Sequence, residues 1–354
     1  MDNRILKLKN QFPQDTTNFL ILNNTNIVYF TEFNGATALL VPQYGENTLY
    51  VSETNFEQAK HEVKNTIIKK ISRGENLFQK ICQDVKISVK TKLSIDSISI
   101  ENWKNLTKIT GDENSLVAAG NIVMGLRAVK TTDEIELIRK ACRIADAGIN
   151  TAYEIVKPGV NEQEIIAEIE YTMRKQGSSG TAFDTIVTSG TNSAFPHGTY
   201  RKRTIKEGDL VIIDLGATVG FYRSDITRTI VAGKINSNQQ EVYKTVKTAQ
   251  DLATKTIMAG AKAAEVDAAA RTFINKTRFR DCFVHNLGHG VGLDIHEAPT
   301  LSPDSKDVLN TGNVITVEPG IYIVCFGGIR IEDTILVTKD GTEKLTNATI
   351  SPSI

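Results

Sequence analysis

The chain has 354 residues, 40% of them hydrophobic and 23% charged, which is typical of a soluble globular protein with two domains. It carries 41 basic and 41 acidic residues, so its formal net charge of zero argues against a nucleic-acid or anionic-membrane partner. No apolar run approaches the ~20 residues that cross a bilayer, and the first residues lack a signal-peptide core. Four well-separated cysteines indicate buried free thiols, and we therefore expect a cytoplasmic protein.

Residues 1–118 are predicted to form a small α/β N-terminal domain. Its predicted elements are strands at 26–33 and 36–42 joined by a turn at Asn34-Gly35, a strand at 47–53, a helix at 55–72, a strand at 86–90 and a helix at 99–108. This part of the sequence contains no catalytic constellation. We expect it to serve in substrate gating or dimerisation.

Residues 119–354 are predicted to form the catalytic domain, which begins with a long helix. Thr131 and Glu134 make a capping box, apolar residues then recur at helical spacing, and Lys157-Pro158-Gly159 ends the helix. Asn161 and Glu164 start a second helix that ends near Gly177. Two more helices are predicted at 238–258 and 263–276, and strands fill the intervening segments.

The second domain contains one unit twice, at offsets between 101 and 107 residues. The matching segments are 157–160 with 258–261, 208–216 with 312–320, and 223–227 with 330–334. Each repeated core ends in an acid, so that Asp214 matches Glu318 and Asp225 matches Glu332. Two such units related by a pseudo-twofold axis would bring four carboxylates together.

The first acidic pair is predicted to lie on a hairpin that turns at Val219-Gly220. A two-residue turn there places Asp214 directly opposite Asp225, about 4.5–5.5 Å apart at Cβ. Two facing carboxylates on a half-buried sheet repel each other unless a cation lies between them. In the second hairpin Pro319-Gly320 interrupts the first strand, so we expect a bulge that re-aims the carboxylates.

Three histidines, His285, His289 and His296, lie in the segment HNLGHGVGLDIHEAP (285–299). Its glycines indicate close approach of backbone to another element. Four carboxylates and one imidazole suit two divalent ions. Oxygen-rich ligation of this kind favours Mn²⁺, with Co²⁺, Fe²⁺ and Zn²⁺ as alternatives.

The segments GHGVGLDIHEAP, VEPGIY, IRIEDT, IDLGA and SDITRT resemble the signature segments of the pita-bread metallopeptidases, in their Xaa-Pro branch of aminopeptidase P and prolidase. The resemblance covers 119–354 and implies an α+β chain with a duplicated pita-bread fold after a smaller α/β domain. It also implies a homodimer that acts on small peptides. The metal ligands it implies are Asp214, Asp225, His289, Glu318 and Glu332.

The same resemblance implies roles around the metals. Glu318 would take a proton from the attacking water, while His296 and His197 would donate to the developing oxyanion. The residues implied to bind substrate are His197, His285, Arg330 and Tyr322.

The choice of peptide depends on one position. Many prolidases carry an arginine after the H-E-x-P segment, suited to a dipeptide carboxylate, whereas this chain has Thr300. We therefore expect an Xaa-Pro aminopeptidase, with an Xaa-Pro dipeptidase (prolidase) as the alternative. A methionine aminopeptidase or a non-catalytic binding module of the same fold fits less well.

Overall fold

The computed structural model describes residues 2–85, 92–198 and 202–352. They fall into two units, Met1–Arg127 and Ala128–Ile354. The boundary expected after residue 118 stays a prediction, and the strand expected at 86–90 lies outside the described residues. Within these ranges, no helix is both long and apolar enough to span a membrane.

The first unit is built on a mixed sheet covered by helices. Its helices are α1 (Asp2–Lys9), α2 (Asn24–Thr31), α3 (Phe56–Glu62), α4 (Leu77–Val85), α5 (Ile100–Thr110) and α6 (Gly120–Ala128). Its strands are β1 (Thr16–Ile21), β2 (Ala36–Pro42), β3 (Thr48–Ser52), β4 (Ile67–Ile71), β5 (Lys92–Ile95) and β6 (Leu116–Ala118). They form a sheet in the order β4-β3-β2-β1-β5-β6, with β1 antiparallel to β2 and parallel to β5.

The first predicted strand of this unit was wrong, because its residues form helix α2. The Asn23 side chain caps this helix by accepting the N–H of Asn26, and Glu32 ends it in a left-handed conformation with φ 57°. The apolar run that suggested a strand is buried on the helix. The predicted hairpin is therefore absent: residues 34–35 form a turn, but it joins α2 to β2, and β2 pairs with β1 and β3.

Three of the other predicted elements of this unit are confirmed, and one is wrong in its second half. Strands β2 and β3 and helix α5 confirm the predictions at 36–42, 47–53 and 99–108. The helix predicted at 55–72 ends at Glu62, and its second half is the edge strand β4. Residues 67–71 pair in parallel with β3, so ladder hydrogen bonds rather than helical spacing decide their structure.

The second unit alternates pairs of helices with antiparallel sheets. Its helices are α7 (Thr132–Ile155), α8 (Glu162–Lys175), α9 (Ser237–Thr254) and α10 (Ala263–Asn275), which confirms the four predicted helices. Its strands are β7 (Gly180–Thr181), β8 (Ile186–Ser189), β9 (Leu210–Leu215), β10 (Ala217–Val219), β11 (Tyr222–Arg223), β12 (Ile226–Val231), β13 (Gly288–Gly290), β14 (Glu297–Leu301), β15 (Val314–Val317), β16 (Gly320–Ile323), β17 (Gly327–Arg330), β18 (Asp333–Thr338) and β19 (Gly341–Lys344).

The duplication is visible in the connectivity of this unit. Helices α7 and α8 precede the sheet β12-β9-β8, and α9 and α10 precede a sheet that contains β13-β15-β18. Equivalent turns carry equivalent bonds, since Gly159 N–H donates to Ile205 O at 2.9 Å and Gly260 N–H donates to Leu309 O at 2.8 Å. Each half has its own buried apolar cluster.

The two halves meet where β12 runs beside residues 330–334. Arg330 N–H donates to Thr229 Oγ1 at 3.0 Å, Glu332 N–H to Thr227 O at 3.1 Å, and Thr334 Oγ1–H to the main-chain oxygen of Asp225 at 2.7 Å. The acids of both repeats therefore lie along this seam.

The predicted free thiols differ in environment. Of the four free cysteines, Cys142 is buried and Cys325 is exposed, so the prediction that all are buried was wrong for Cys325.

Candidate metal centre

The first hairpin turns one residue later than predicted. Val219 pairs with Tyr222 across the turn Gly220-Phe221, and Asp214 consequently pairs with Thr227. The prediction that Asp214 directly faces Asp225 was therefore wrong. The partner of Asp214 has moved by two residues, and since side chains alternate with a period of two, both aspartates still occupy one face.

The second hairpin carries its glutamates at an interruption between two strand pairs. Val317 pairs with Asp333 on one side and Gly320 with Arg330 on the other, which preserves a single register, so the expected bulge was wrong. The main chain opens here instead. Glu318 N–H donates outside the hairpin to Leu287 O at 2.9 Å, which orients Glu318 toward the seam.

Two glycines explain how His289 reaches the carboxylates. A Cβ at Gly288 would lie 2.1 Å from Thr316 O, and one at Gly290 would lie 2.2 Å from Ala298 O. Only glycine lets β13 lie this close to β15 and β14, which confirms the predicted close approach of backbone. His289 Nε2 then lies 3.2 Å from Glu318 Oε1 and 3.6 Å from Asp225 Oδ2.

The donor set fits a divalent metal. Asp225, His289 and Glu332 each offer one ligand atom within 4.8 Å of the others. The His289 ring presents Nε2 to the carboxylates while Nδ1 lies 3.2 Å from Gly290 O, an outer bond that metal-binding histidines usually make. Buried oxygens Asp214 Oδ1 and Glu332 Oε1 have no hydrogen-bond partner among the described residues, as expected of atoms reserved for a cation.

The pKa values of the clustered carboxylates also support a metal site. Burial, followed by repulsion from neighbouring carboxylates, raises the pKa of Asp225 and of Glu332 well above their usual ranges. Burial also opposes ionisation of Glu318, but its hydrogen bond to His289 prevails and lowers its pKa to about 2. A cation among these groups would offset the burial and repulsion that raise the first two pKa values.

Arg330, predicted to bind substrate, is buried and bonded on all sides. Nη2 donates to Asp214 Oδ2 at 2.7 Å, Nη1 to Tyr322 Oη at 2.7 Å, and Nε to Thr227 Oγ1 at 3.1 Å. It lines the cavity, but its donors are directed at protein atoms. Its charge balances part of the negative cluster.

A hydrogen-bond chain fixes the tautomer of His285. Burial raises the pKa of Tyr322 to about 12, so its phenol is neutral, and it accepts from Arg330. Its own proton must therefore go to His285 Nε2, 3.0 Å away, which leaves Nδ1 to donate to Asn286 O at 2.8 Å. Both ring nitrogens are engaged within the protein, so His285 offers the cavity its ring surface. Tyr322 lies behind it, outside the lining residues.

The remaining histidines face the cavity. The ring centroids of His296 and His289 are 4.2 Å apart, and burial, followed by the nearby His289, lowers the pKa of His296. A neutral His296 keeps one N–H for donation. His197 lines the same cavity of about 490 Å³, which brings together all five predicted metal ligands.

Sequence reasoning missed two groups of residues here. Phe183, Ile186 and Ile295 supply apolar walls, but nothing in their local pattern marks them. Thr227 and Thr316 donate to Glu332 Oε2 at 2.6 Å and to Glu318 Oε1 at 3.0 Å. Both threonines lie two residues from a predicted ligand, so strand alternation could have identified them.

The duplicated fold and this cluster define a pita-bread metallohydrolase. Residues 136–339 match metallopeptidase family M24, and residues 4–129 match the creatinase/prolidase N-terminal domain. The chain belongs to metallopeptidase family M24, which implies a metal-dependent peptidase that uses divalent metal ions.

Relatives of both Xaa-Pro types resemble the chain over nearly its whole length. An Xaa-Pro dipeptidase of Pyrococcus furiosus is 39% identical over 350 residues, 98% of each chain. An Xaa-Pro dipeptidase structure from Bacillus anthracis has a TM-score of 0.93 at 34% identity, covering 100% of this chain and 99% of that one. An X-Pro aminopeptidase structure from Thermotoga maritima has a TM-score of 0.86 at 33% identity, covering 96% and 98%.

Proposed function

We propose that this chain is an Xaa-Pro dipeptidase, a prolidase that splits dipeptides ending in proline. The observation that carries the proposal is the cavity of about 490 Å³ that holds Asp214, Asp225, His289, Glu318 and Glu332 together. The full-length similarity to Xaa-Pro dipeptidases supports this substrate over the expected longer peptides.

The cluster would hold two divalent ions, with Mn²⁺ favoured over Co²⁺, Fe²⁺ and Zn²⁺. Four carboxylates and the guanidinium of Arg330 carry a formal net charge of −3. One divalent cation leaves this site negative, whereas two make it slightly positive, which suits a reaction that develops an oxyanion. When bound, the ions supply a water of lowered pKa and polarise the scissile carbonyl.

The side chains around the metal centre would transfer the proton, stabilise the oxyanion and bind the proline ring. Glu318 is ionised in the metal-free chain, because its hydrogen bond to His289 lowers its pKa to about 2. We assign it the proton of the attacking water, which it would pass to the leaving amine, because it is the carboxylate that faces His289 at the cavity. His296, held neutral by burial, donates to the developing oxyanion together with His197, at about 2.7–4 kcal/mol per donor. Phe183, Ile186 and Ile295 provide an apolar surface for a proline ring.

One observation favours a second candidate, an Xaa-Pro aminopeptidase that accepts longer peptides. Thr300 lines the cavity, and its main-chain N–H donates to Asp307 at 2.8 Å. A neutral hydroxyl at this position offers no charge to a dipeptide carboxylate, whereas it places no demand on a peptide that continues.

A peptide series distinguishes the two candidates. The chelated and Mn²⁺-loaded proteins are assayed with Gly-Pro, with Gly-Pro-Gly and with Gly-Ala as a control for proline. We expect Mn²⁺-dependent release of proline from Gly-Pro, little cleavage of Gly-Ala, and a lower kcat/KM for the tripeptide. A strong preference for Gly-Pro-Gly would establish the aminopeptidase, and no hydrolysis of any of the three peptides by the Mn²⁺-loaded protein would favour a binding module.

Dimerisation and a cytoplasmic location stay predictions. Sedimentation of the metal-loaded protein tests the first, because a dimer doubles the mass of the 38.9 kDa chain.

A further inference from the structure

Thr227 is fully buried between a predicted metal ligand and the cavity arginine. Arg330 Nε donates to Thr227 Oγ1 at 3.1 Å, and Thr227 Oγ1 lies 2.6 Å from Glu332 Oε2. A guanidinium N–H can only donate. The hydroxyl therefore accepts from Arg330, and its single proton goes to Glu332.

This bond sets the orientation of the Glu332 carboxylate. Oε2 is held by the hydroxyl, while Oε1 is buried and has no hydrogen-bond partner within the described part of the chain. The main-chain oxygen of Thr227 also accepts the main-chain N–H of Glu332 at 3.1 Å. Thr227 therefore holds both the main chain and the carboxylate of Glu332. Rotation of the carboxylate would break the bond at Oε2.

We propose that Thr227 is a positioning residue for the metal centre, and that its hydroxyl presets Glu332 for metal binding. The inference rests on the proposed function, because it takes Glu332 as a ligand. Without the hydroxyl, the carboxylate samples other rotamers and must be ordered when the metal binds. Outer-shell bonds of this kind typically change metal affinity by about 10–100-fold.

The repeat supplies a matched control in Thr334, the residue equivalent to Thr227. Thr334 is equally buried, but its hydroxyl donates to the main-chain oxygen of Asp225 at 2.7 Å. Replacing either threonine with valine keeps the volume and removes one buried hydroxyl. Only the change at Thr227 removes a bond to a ligand carboxylate.

Calorimetric titration of the chelated full-length protein with Mn²⁺ tests the proposal without using peptidase activity. We expect Thr227→Val to weaken Mn²⁺ binding by about 10–100-fold. Thr227→Ser keeps the hydroxyl and is expected to bind as the unchanged protein does, as is Thr334→Val. Should Thr227→Val fail to fold, Thr227→Ala against Thr227→Ser makes the same comparison.

The outcomes separate this inference from the proposed function. Equal Mn²⁺ affinity for Thr227→Val and the unchanged protein overturns the positioning role, as does an equal loss in Thr227→Ser or Thr334→Val. If the unchanged protein binds no divalent metal at all, the proposed function fails first.

Discussion

The two halves of the catalytic unit place equivalent acids in different surroundings. Asp214 in the first half pairs with a guanidinium at 2.7 Å, whereas its equivalent Glu318 faces the His289 imidazole at 3.2 Å. The arginines have diverged too. Arg330 enters the cavity, but its equivalent Arg223 donates to main-chain oxygens such as Leu293 O at 3.1 Å. Duplication supplied two similar hairpins, and the chemistry comes from where they differ.

The largest expected effect concerns Glu318, the proposed proton acceptor of the equivalent acids Asp214 and Glu318. Glu318→Gln keeps the size of the side chain but removes the base, so we expect kcat on Gly-Pro to fall by about 10²–10⁴-fold. Steady-state assays at saturating Mn²⁺ measure it. Metal content, determined in parallel, separates loss of the base from loss of a ligand. Rates equal to those of the unchanged protein would remove Glu318 from the mechanism.

We expect the corresponding carboxylate-to-amide change at the equivalent residue, Asp214, to lower the free energy of unfolding. Asp214→Asn leaves the buried Arg330 without its carboxylate partner, which we expect to cost about 3 kcal/mol in the metal-free protein. Glu318→Gln should cost far less, because its partner His289 can become neutral. Urea unfolding in the presence of a chelator measures both. If the two variants lose equal stability, the two acids do not have separate roles.

Much of this comparison was available from the sequence. The offsets between repeats grouped the four acids, because each lies at or beside the end of an apolar strand, and the family resemblance implied His289 as the fifth ligand. Local pattern failed where tertiary structure decides: Asn24–Thr31 is rich in strand-forming residues but is capped as a helix by Asn23. The hairpin register failed because Phe221, not Val219, takes a turn position with φ 72°. Few non-glycine residues adopt that conformation, so no local pattern predicts it at a phenylalanine.

Asp225 and Glu332 match each other between the repeats, and we expect both to give the stability of the metal-free chain the same pH dependence. Both have a pKa raised by burial and then by their neighbours, so above about pH 4 the folded metal-free chain holds more protons than the unfolded chain. Stability therefore falls as pH rises through the raised pKa values, by up to about 1.4 kcal/mol per pH unit for each proton.

Urea unfolding of the chelated protein between pH 5 and pH 8 checks this expectation. We expect Asp225→Asn and Glu332→Gln each to flatten the decline, and saturating Mn²⁺ to reverse it, because metal competes with protons. A flat profile for the unchanged chelated protein would show that these carboxylates are not proton-loaded.

The smallest expected effect concerns the N-terminal ends of the equivalent helices α8 and α10. Helix α8 begins with a capping box of Asn161 and Glu164, whereas Lys262, the equivalent in α10, has extended backbone but makes no side-chain cap. Glu265 already stands three residues later, so Lys262→Asn would complete the box. We expect a gain of about 1 kcal/mol in unfolding free energy, since the exposed Lys262–Glu265 ion pair that is lost contributes little. Lys262→Ala removes the same ion pair without adding a cap. Equal stability of the two variants would mean that the start of α10 is held by its bond to the 307–308 segment and not by capping.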